Sequence, residues 1–313
     1  MTVSPTPVFR GVVPPVATPF TPAGEVDHDA LASLVERLIA DGVDGLFALG
    51  STGETAYLTD AQRVEVARTI VRVSAGRVPV IAGAIELTAP RIIDTARALA
   101  AAGVDAIVTT APLYTLNSEA EIADHFARIA AAIDVPLWAY DVPVRVRTKL
   151  SADLLVRLGV DGVIAGVKDS SGDDVGFRRL VAKNRAAGSP LTLLTGHEVV
   201  VDAMGLAGAD GVVPGLANVD ARGYVALWRA VEAGDWEAAR VEQERLNELF
   251  EIVFQPSGFS PDATGVGAFK AAMVARGILA SGAMSPHVAP LDADAVARIR
   301  AVVAAWQPVA VDA

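Results

Sequence analysis

The chain has 313 residues, 52% of them hydrophobic and only 5% aromatic, and carries a formal net charge of −11. That acidity argues against nucleic acid or an anionic membrane surface as a partner, and no apolar run reaches the length of a membrane-spanning helix. With no cysteine, disulfides, thiolate nucleophiles and thiolate metal ligands are excluded together. The N-terminal MTVSPTPVFRG lacks the charged and apolar regions of a signal peptide, so a cytoplasmic protein is expected.

A core so poor in aromatics must be built from Ala, Val, Leu and Ile, which suits buried parallel strands under Ala-rich helices. In chain order, GVVPPVATPF (11–20) predicts a first strand and ALASLVERLIADG (30–42) a helix. Strands are then predicted within DGVDGLFALG (41–50), RVPVIAG (77–83) and AGVDAIVTTAP (102–112). After the helix SEAEIADHFARIAAAI (118–133) they follow within DVPLWAYD (134–141), LGVDGVIAGVK (158–168), SPLTLLTG (189–196) and AGADGVVPG (207–215). Four of these share Gly, then Val or Ala, then Asp, then an apolar run. Their glycines, Gly42, Gly103, Gly159 and Gly208, lie 61, 56 and 49 residues apart, the length of two βα units. Each is expected to close a helix with a positive φ. Eight alternating units predict an α/β fold, a (β/α)8 TIM barrel, in preference to an open doubly wound sheet. Residues 1–230 are expected to form the barrel with the active site. Residues 231–313, with WEAARVEQERLNELFEIVF, GVGAFKAAMVARG and DADAVARIRAVVAAW, are expected to form a C-terminal helical extension.

In such a barrel the chemistry sits at the C-terminal ends of the strands. Those ends are GSTGE (50–54), TTAPLY (109–114), YDVP (140–143), Lys168, TGHE (195–198) and PGLANV (214–219). Lysines are scarce: Lys149, Lys168, Lys183 and Lys270 are the only four. A lysine ending a buried strand loses hydration of its charged form, which favours the neutral amine that can attack a ketone and form a Schiff base. The plainer alternative for Lys168 is an ammonium reaching out to solvent. Lys149 and Lys183 lie in polar stretches and Lys270 on the C-terminal helices. Tyr140 ends the adjacent strand and can relay protons, or be a rim aromatic. Ser51 and Thr52, with the N–H groups of a Gly-rich turn, suit a carboxylate; they equally suit an N-cap of the next helix.

GSTGE, YDVP and GVKDSSGD, with 28 residues from Tyr140 to Lys168, together resemble the dihydrodipicolinate synthase / N-acetylneuraminate lyase family over nearly the whole chain. The resemblance implies a (β/α)8 barrel, a homotetramer built as a dimer of dimers, and a lyase that uses pyruvate or a related 2-keto acid without a separate cofactor or metal. It implies that Lys168 forms the imine, Tyr140 relays protons, and Ser51 and Thr52 hold the keto-acid carboxylate. Tyr114 looks like the tyrosine lent across a dimer interface, and Gly196 and Val213 like pocket-lining positions. Arg145 resembles the arginine that grips the second substrate's carboxylate in the synthases. His197 and Glu198 are candidates for hydroxyls of a polyhydroxylated acid, with helix capping the alternative for Glu198.

The departures concern the second substrate. Ser51 stands where the synthases have Thr, Asp141 where the motif has Asn, and Val146-Arg147 where Thr-Gly follows the arginine. Asp60 and Leu113 stand where the lysine-feedback site has His and Tyr. An aldolase acting on 2-keto-3-deoxy acids is therefore the leading expectation. A 4-hydroxy-tetrahydrodipicolinate synthase, a keto-deoxy acid dehydratase and a non-catalytic keto-acid-binding relative are the alternatives. The four histidines are scattered, and no pair has metal-ligand spacing.

Overall fold

The structure is a computed structural model and describes residues 9–308. The first eight residues, most of the stretch on which the signal-peptide expectation rests, and residues 309–313 lie outside the described residues. Eight parallel strands run in the order β1-β8-β7-β6-β5-β4-β3-β2: β1 Gly11–Val12, β2 Leu46–Ala48, β3 Val80–Gly83, β4 Ala106–Thr109, β5 Leu137–Asp141, β6 Gly166–Asp169, β7 Thr192–Thr195 and β8 Gly211–Val212. The sheet closes on itself. Pro15 bridges Phe47 in parallel, Phe47 N–H donates to the Pro14 carbonyl (3.0 Å), and Val16 N–H donates to the Phe47 carbonyl (2.9 Å). This closure selects the barrel over the open sheet.

The helices follow in alternation: α1 His28–Ala40, α2 Asp60–Ser74, α3 Ala89–Ala101, α4 Glu119–Ala130, the short α5 Pro143–Val146, α6 Ala152–Val160, α7 Asp174–Ala186, α8 Val201–Ala207 and α9 Ala217–Ala233. The extension adds α10 Trp236–Phe250, α11 Ala268–Ala275 and α12 Ala293–Ala305, with a π-helical turn over Ala263–Gly267 ahead of α11. Among the described residues no helix is long and apolar enough to cross a membrane.

Strands are shorter than their apolar runs. Pro14 and Pro15 have no N–H to continue a ladder, so β1 stops at Val12. Two apolar layers hold the barrel. The inner one contains Phe9, Val13, Phe47, Ile81, Val108, Trp138, Leu194 and Val213. Phe9 and Trp138 meet edge-to-face at 5.6 Å, a favoured aromatic geometry. The outer layer is the large aliphatic cluster between strands and helices.

The repeated Gly-X-Asp has a function the pattern did not reveal. Asp44 accepts from Val12 N–H, Asp105 from Val80 N–H and Asp210 from Leu193 N–H, each at 2.8 Å. Each aspartate precedes an even-numbered strand and pins the start of the odd-numbered strand before it. Three of the four glycines take the expected positive φ: Gly42 at 92°, Gly103 at 95° and Gly208 at 107°. Gly159 does not. It lies inside α6, where a Cβ would run into Leu191, and the left-handed closing residue is Gly162 at 70°. Close helix–strand packing, not helix termination, requires glycine at 159.

Candidate active site

Side chains alternate across a strand. Tyr140 and Lys168 are paired in register on β5 and β6, and so are their successors Asp141 and Asp169. The first pair points into the barrel mouth and the second toward the helices. Lys168 is 6% exposed, and its Nζ stands 4.3 Å from the Tyr140 ring centroid and 4.7 Å from that of Phe47. It is enclosed by aromatic faces, not extended into solvent. Burial alone would push the Tyr140 hydroxyl up. The charge of Lys168 and polar partners at Ser51, Ser170 and Lys168 outweigh it and hold the group below the ordinary tyrosine value. A phenol lowered by an adjacent cation is suited to passing protons.

The GSTGE loop turns back on itself, with Gly53 N–H donating to Gly50 O and Glu54 N–H to Ser51 O. A Cβ at Gly50 would press on Phe47, and one at Gly53 would lie 3.1 Å from the Val16 carbonyl. The N-cap alternative for Ser51 and Thr52 is set aside. Helix α2 starts at Asp60, and its capping box is Thr59 with Gln62. Ser51 instead lines the cavity and partners Tyr140. Thr52 stands beside Gly215, where its Oγ1 would be 3.4 Å from a Cβ. Glu54 ends the loop in the left-handed region, φ 55°. It is fully buried, paired with Lys270 of α11, and accepts from Ser285 N–H at 2.8 Å. Lys270, a seemingly ordinary lysine of the C-terminal helices, thus holds the site loop from behind. Burial lowers its pKa against the opposing pull of Glu54.

A cavity of about 190 Å3 lies beside Tyr140, lined by Ser51, Tyr57, Leu113, Tyr140, Arg145 and Asp262 among others, with Lys168 behind Tyr140 and not in its lining. Arg145, on α5, donates to Asp262, and the Tyr57 hydroxyl donates to the other Asp262 oxygen at 2.7 Å. Tyr57 and Asp262 were not among the expected residues. Tyr57 lies six positions beyond Ser51, and Asp262 in a stretch with no motif. Tyr114 is apart from this group within one chain. It is 98% exposed with a φ of 70°, two residues before Leu116, which is 92% exposed.

Gly196 and Val213 border the same end of the barrel. A Cβ at Gly196 would collide with Ser170, the residue that partners Tyr140, and Val213 belongs to the inner apolar layer. His197 turns to the rim, its Nδ1 2.9 Å from Asp174 at the start of α7. Glu198 does not cap the helix after it, which has no side-chain cap. It accepts from Leu216 N–H at 2.7 Å and so pins the loop after β8. Burial raises its carboxyl to about 7, against the pull of Leu216 N–H and Lys168.

On the outer face, the departure at Asp141 has a local answer. Asp141 is fully buried and paired with Lys149, accepts from Leu150 N–H at 3.1 Å, and shares Lys149 with Asp169. Burial raises its carboxyl from 3.8 to about 6 against the pull of Lys149. Between about pH 4 and pH 6 the unfolded chain loses a proton that the folded chain keeps, so this group's contribution to stability falls as pH rises. Asp141→Asn keeps an acceptor for Leu150 and removes the titration. Relative to the original protein it is expected to gain roughly 2–3 kcal/mol between pH 4 and pH 7. Urea midpoints at both pH values check this, and a pH-independent difference would show that Asp141 is ionised throughout.

The closed barrel carries a lysine–tyrosine pair at its mouth and a glycine-rich loop beside it, and the family the chain matches is one of lyases. The chain belongs to the dihydrodipicolinate synthetase family, whose model matches residues 8–305. It is 36% identical over 283 residues to a 4-hydroxy-tetrahydrodipicolinate synthase of Sorangium cellulosum, covering 90% of each chain. It is 34% identical over 279 residues to an uncharacterised DapA-like lyase of Halobacterium salinarum, covering 89% of this chain and 88% of that one. Among solved structures it is similar to YagE, a prophage protein of the dihydrodipicolinic acid synthase family from E. coli K12 in complex with pyruvate. The TM-score is 0.89 at 29% identity, over 95% of this chain and 98% of that one.

Proposed function

We propose that Lys168 forms an imine with pyruvate or a related 2-keto acid, and that the protein makes or breaks the carbon–carbon bond one atom from the imine carbon. The observation that carries this is the pairing of Lys168 with Tyr140 inside an aromatic enclosure at the barrel mouth. The neutral amine adds to the ketone carbon to give a carbinolamine. Tyr140 donates the proton with which water leaves, and the iminium remains. Loss of a proton from the adjacent carbon gives an enamine. The enamine carbon attacks an aldehyde carbon, the new alkoxide takes a proton, and water hydrolyses the imine to free Lys168. Cleavage runs the same steps backwards.

Ser51, Thr52 and the loop N–H groups hold the keto-acid carboxylate. Gly196 leaves room beside Ser170, and Val213 forms the apolar wall. We place the reaction in the cytoplasm and in a homotetramer, where a second copy covers Tyr114 and brings it to the site. A solution mass equal to one chain would remove Tyr114 from the mechanism. The leading reading is an aldolase of 2-keto-3-deoxy acids. The second is condensation of pyruvate with aspartate semialdehyde, favoured by the names of several relatives.

Borohydride reduction in the presence of pyruvate, followed by intact mass and peptide mapping, tests the imine. One reduced pyruvate on Lys168 is expected. A folded protein with no adduct would reduce the chain to a keto-acid binder or to a different keto acid, and an adduct elsewhere would reassign the nucleophile.

A further inference from the structure

The second-substrate end of the cavity is internally neutralised. Arg145, the cation expected to receive a carboxylate, is already paired with Asp262, which reaches it from 117 residues further along the chain. The two Asp262 oxygens are held by different partners, Arg145 on one and the Tyr57 hydroxyl on the other. The ring of Tyr57 stacks against His287, their centroids 6.4 Å apart and planes 20° from parallel. Asp262 is therefore built into the C-terminal wall. Burial works against its charge, but Arg145 and Tyr57 outweigh it and hold the carboxyl below its ordinary value, so it is ionised.

We infer that Asp262 is a specificity-determining residue that selects an uncharged, hydroxyl-bearing aldehyde over one carrying a carboxylate. This rests on the imine reading above and assigns the substrate class of the same site. A carboxylate entering here would have to share one guanidinium with Asp262, leaving two negative charges against one positive charge in a partly desolvated cavity. Such like-charge juxtaposition is a strong exclusion device. A hydroxyl meets the opposite situation. The ionised carboxylate has unused lone pairs and the guanidinium has unused N–H groups. A hydroxylated chain can donate to the first and accept from the second without bringing a charge.

The test compares the protein with Asp262→Asn, using pyruvate and, in turn, glyceraldehyde and succinic semialdehyde. The original protein is expected to prefer glyceraldehyde by about tenfold or more in kcat/KM. Asp262→Asn frees Arg145 and should move the ratio of the two kcat/KM values towards the semialdehyde by at least about fivefold. A smaller movement, or an original preference for the semialdehyde, overturns the inference. If Asp262→Asn does not fold, Asp262→Ala carries the same test. It removes the carboxylate that occupies Arg145, and a ratio shift towards the semialdehyde of at least about twofold is required. Turnover with no hydroxylated aldehyde, while the pyruvate imine still forms on Lys168, also overturns it. Absence of that imine strikes the underlying reading, and this inference falls with it.

Discussion

Lys168→Ala is expected to abolish turnover while leaving the barrel folded. In the proposed mechanism Lys168 supplies a covalent route that no other lysine can replace: Lys149 is engaged by Asp141 and Asp169 behind the strands, and Lys270 by Glu54. Loss of activity on the order of 10^4-fold or more is the expected scale for removing a covalent catalyst. The fold should persist, because an alanine methyl is compatible with the aromatic faces of Phe47 and Tyr140 and with the inner apolar layer. Steady-state rates with an aldol acceptor, circular dichroism and borohydride trapping together check this. Substantial residual activity in a folded variant would end the imine mechanism.

The largest stability effect is expected at Lys270→Met. Lys270 and Glu54 are buried essentially completely and lie 216 residues apart in the chain. Removing the cation strands Glu54 without its counter-ion, and breaking one side of such a pair costs about 3–5 kcal/mol. In a chain of this length that lowers Tm by roughly 10 °C. The double variant Lys270→Met with Glu54→Gln should recover much of the loss, since no unpaired charge remains. Thermal unfolding of both variants separates this from a simple packing defect, which the second change would not repair. Glu54 also fixes the end of the loop bearing Ser51 and Thr52, so the single variant should raise KM for the keto acid more than it lowers kcat.

The barrel was legible because its repeat is carried by local chemistry: glycine closing a helix, an apolar run, a proline at a strand start. Lys168 was legible because lysines are scarce and this one ends an apolar strand. What escaped were pairings between residues distant in sequence. Neither Asp262 nor Lys270 belongs to a motif, and only folding places one over Arg145 and the other under Glu54. The shift from Gly159 to Gly162 escaped for another reason. Two glycines three residues apart both fit the pattern, and only the approach of Leu191 to α6 distinguishes them. The absence of a cap at Ser51 is itself legible in the sequence, because Thr59 and Gln62 spell the capping box of α2.

Asp44, Asp105 and Asp210 fasten the strands at the end of the barrel away from Lys168. Rigidity is thereby concentrated where no chemistry occurs, and the rim loops carry little responsibility for keeping the strands in register. Residues at the mouth, such as the Asp262–Arg145 pair, can then vary without unfastening the strands at the base. For an engineer the practical reading is an asymmetry of tolerance: exposed rim positions are open to redesign, while the base and the buried Glu54–Lys270 anchor of the site loop are best left untouched.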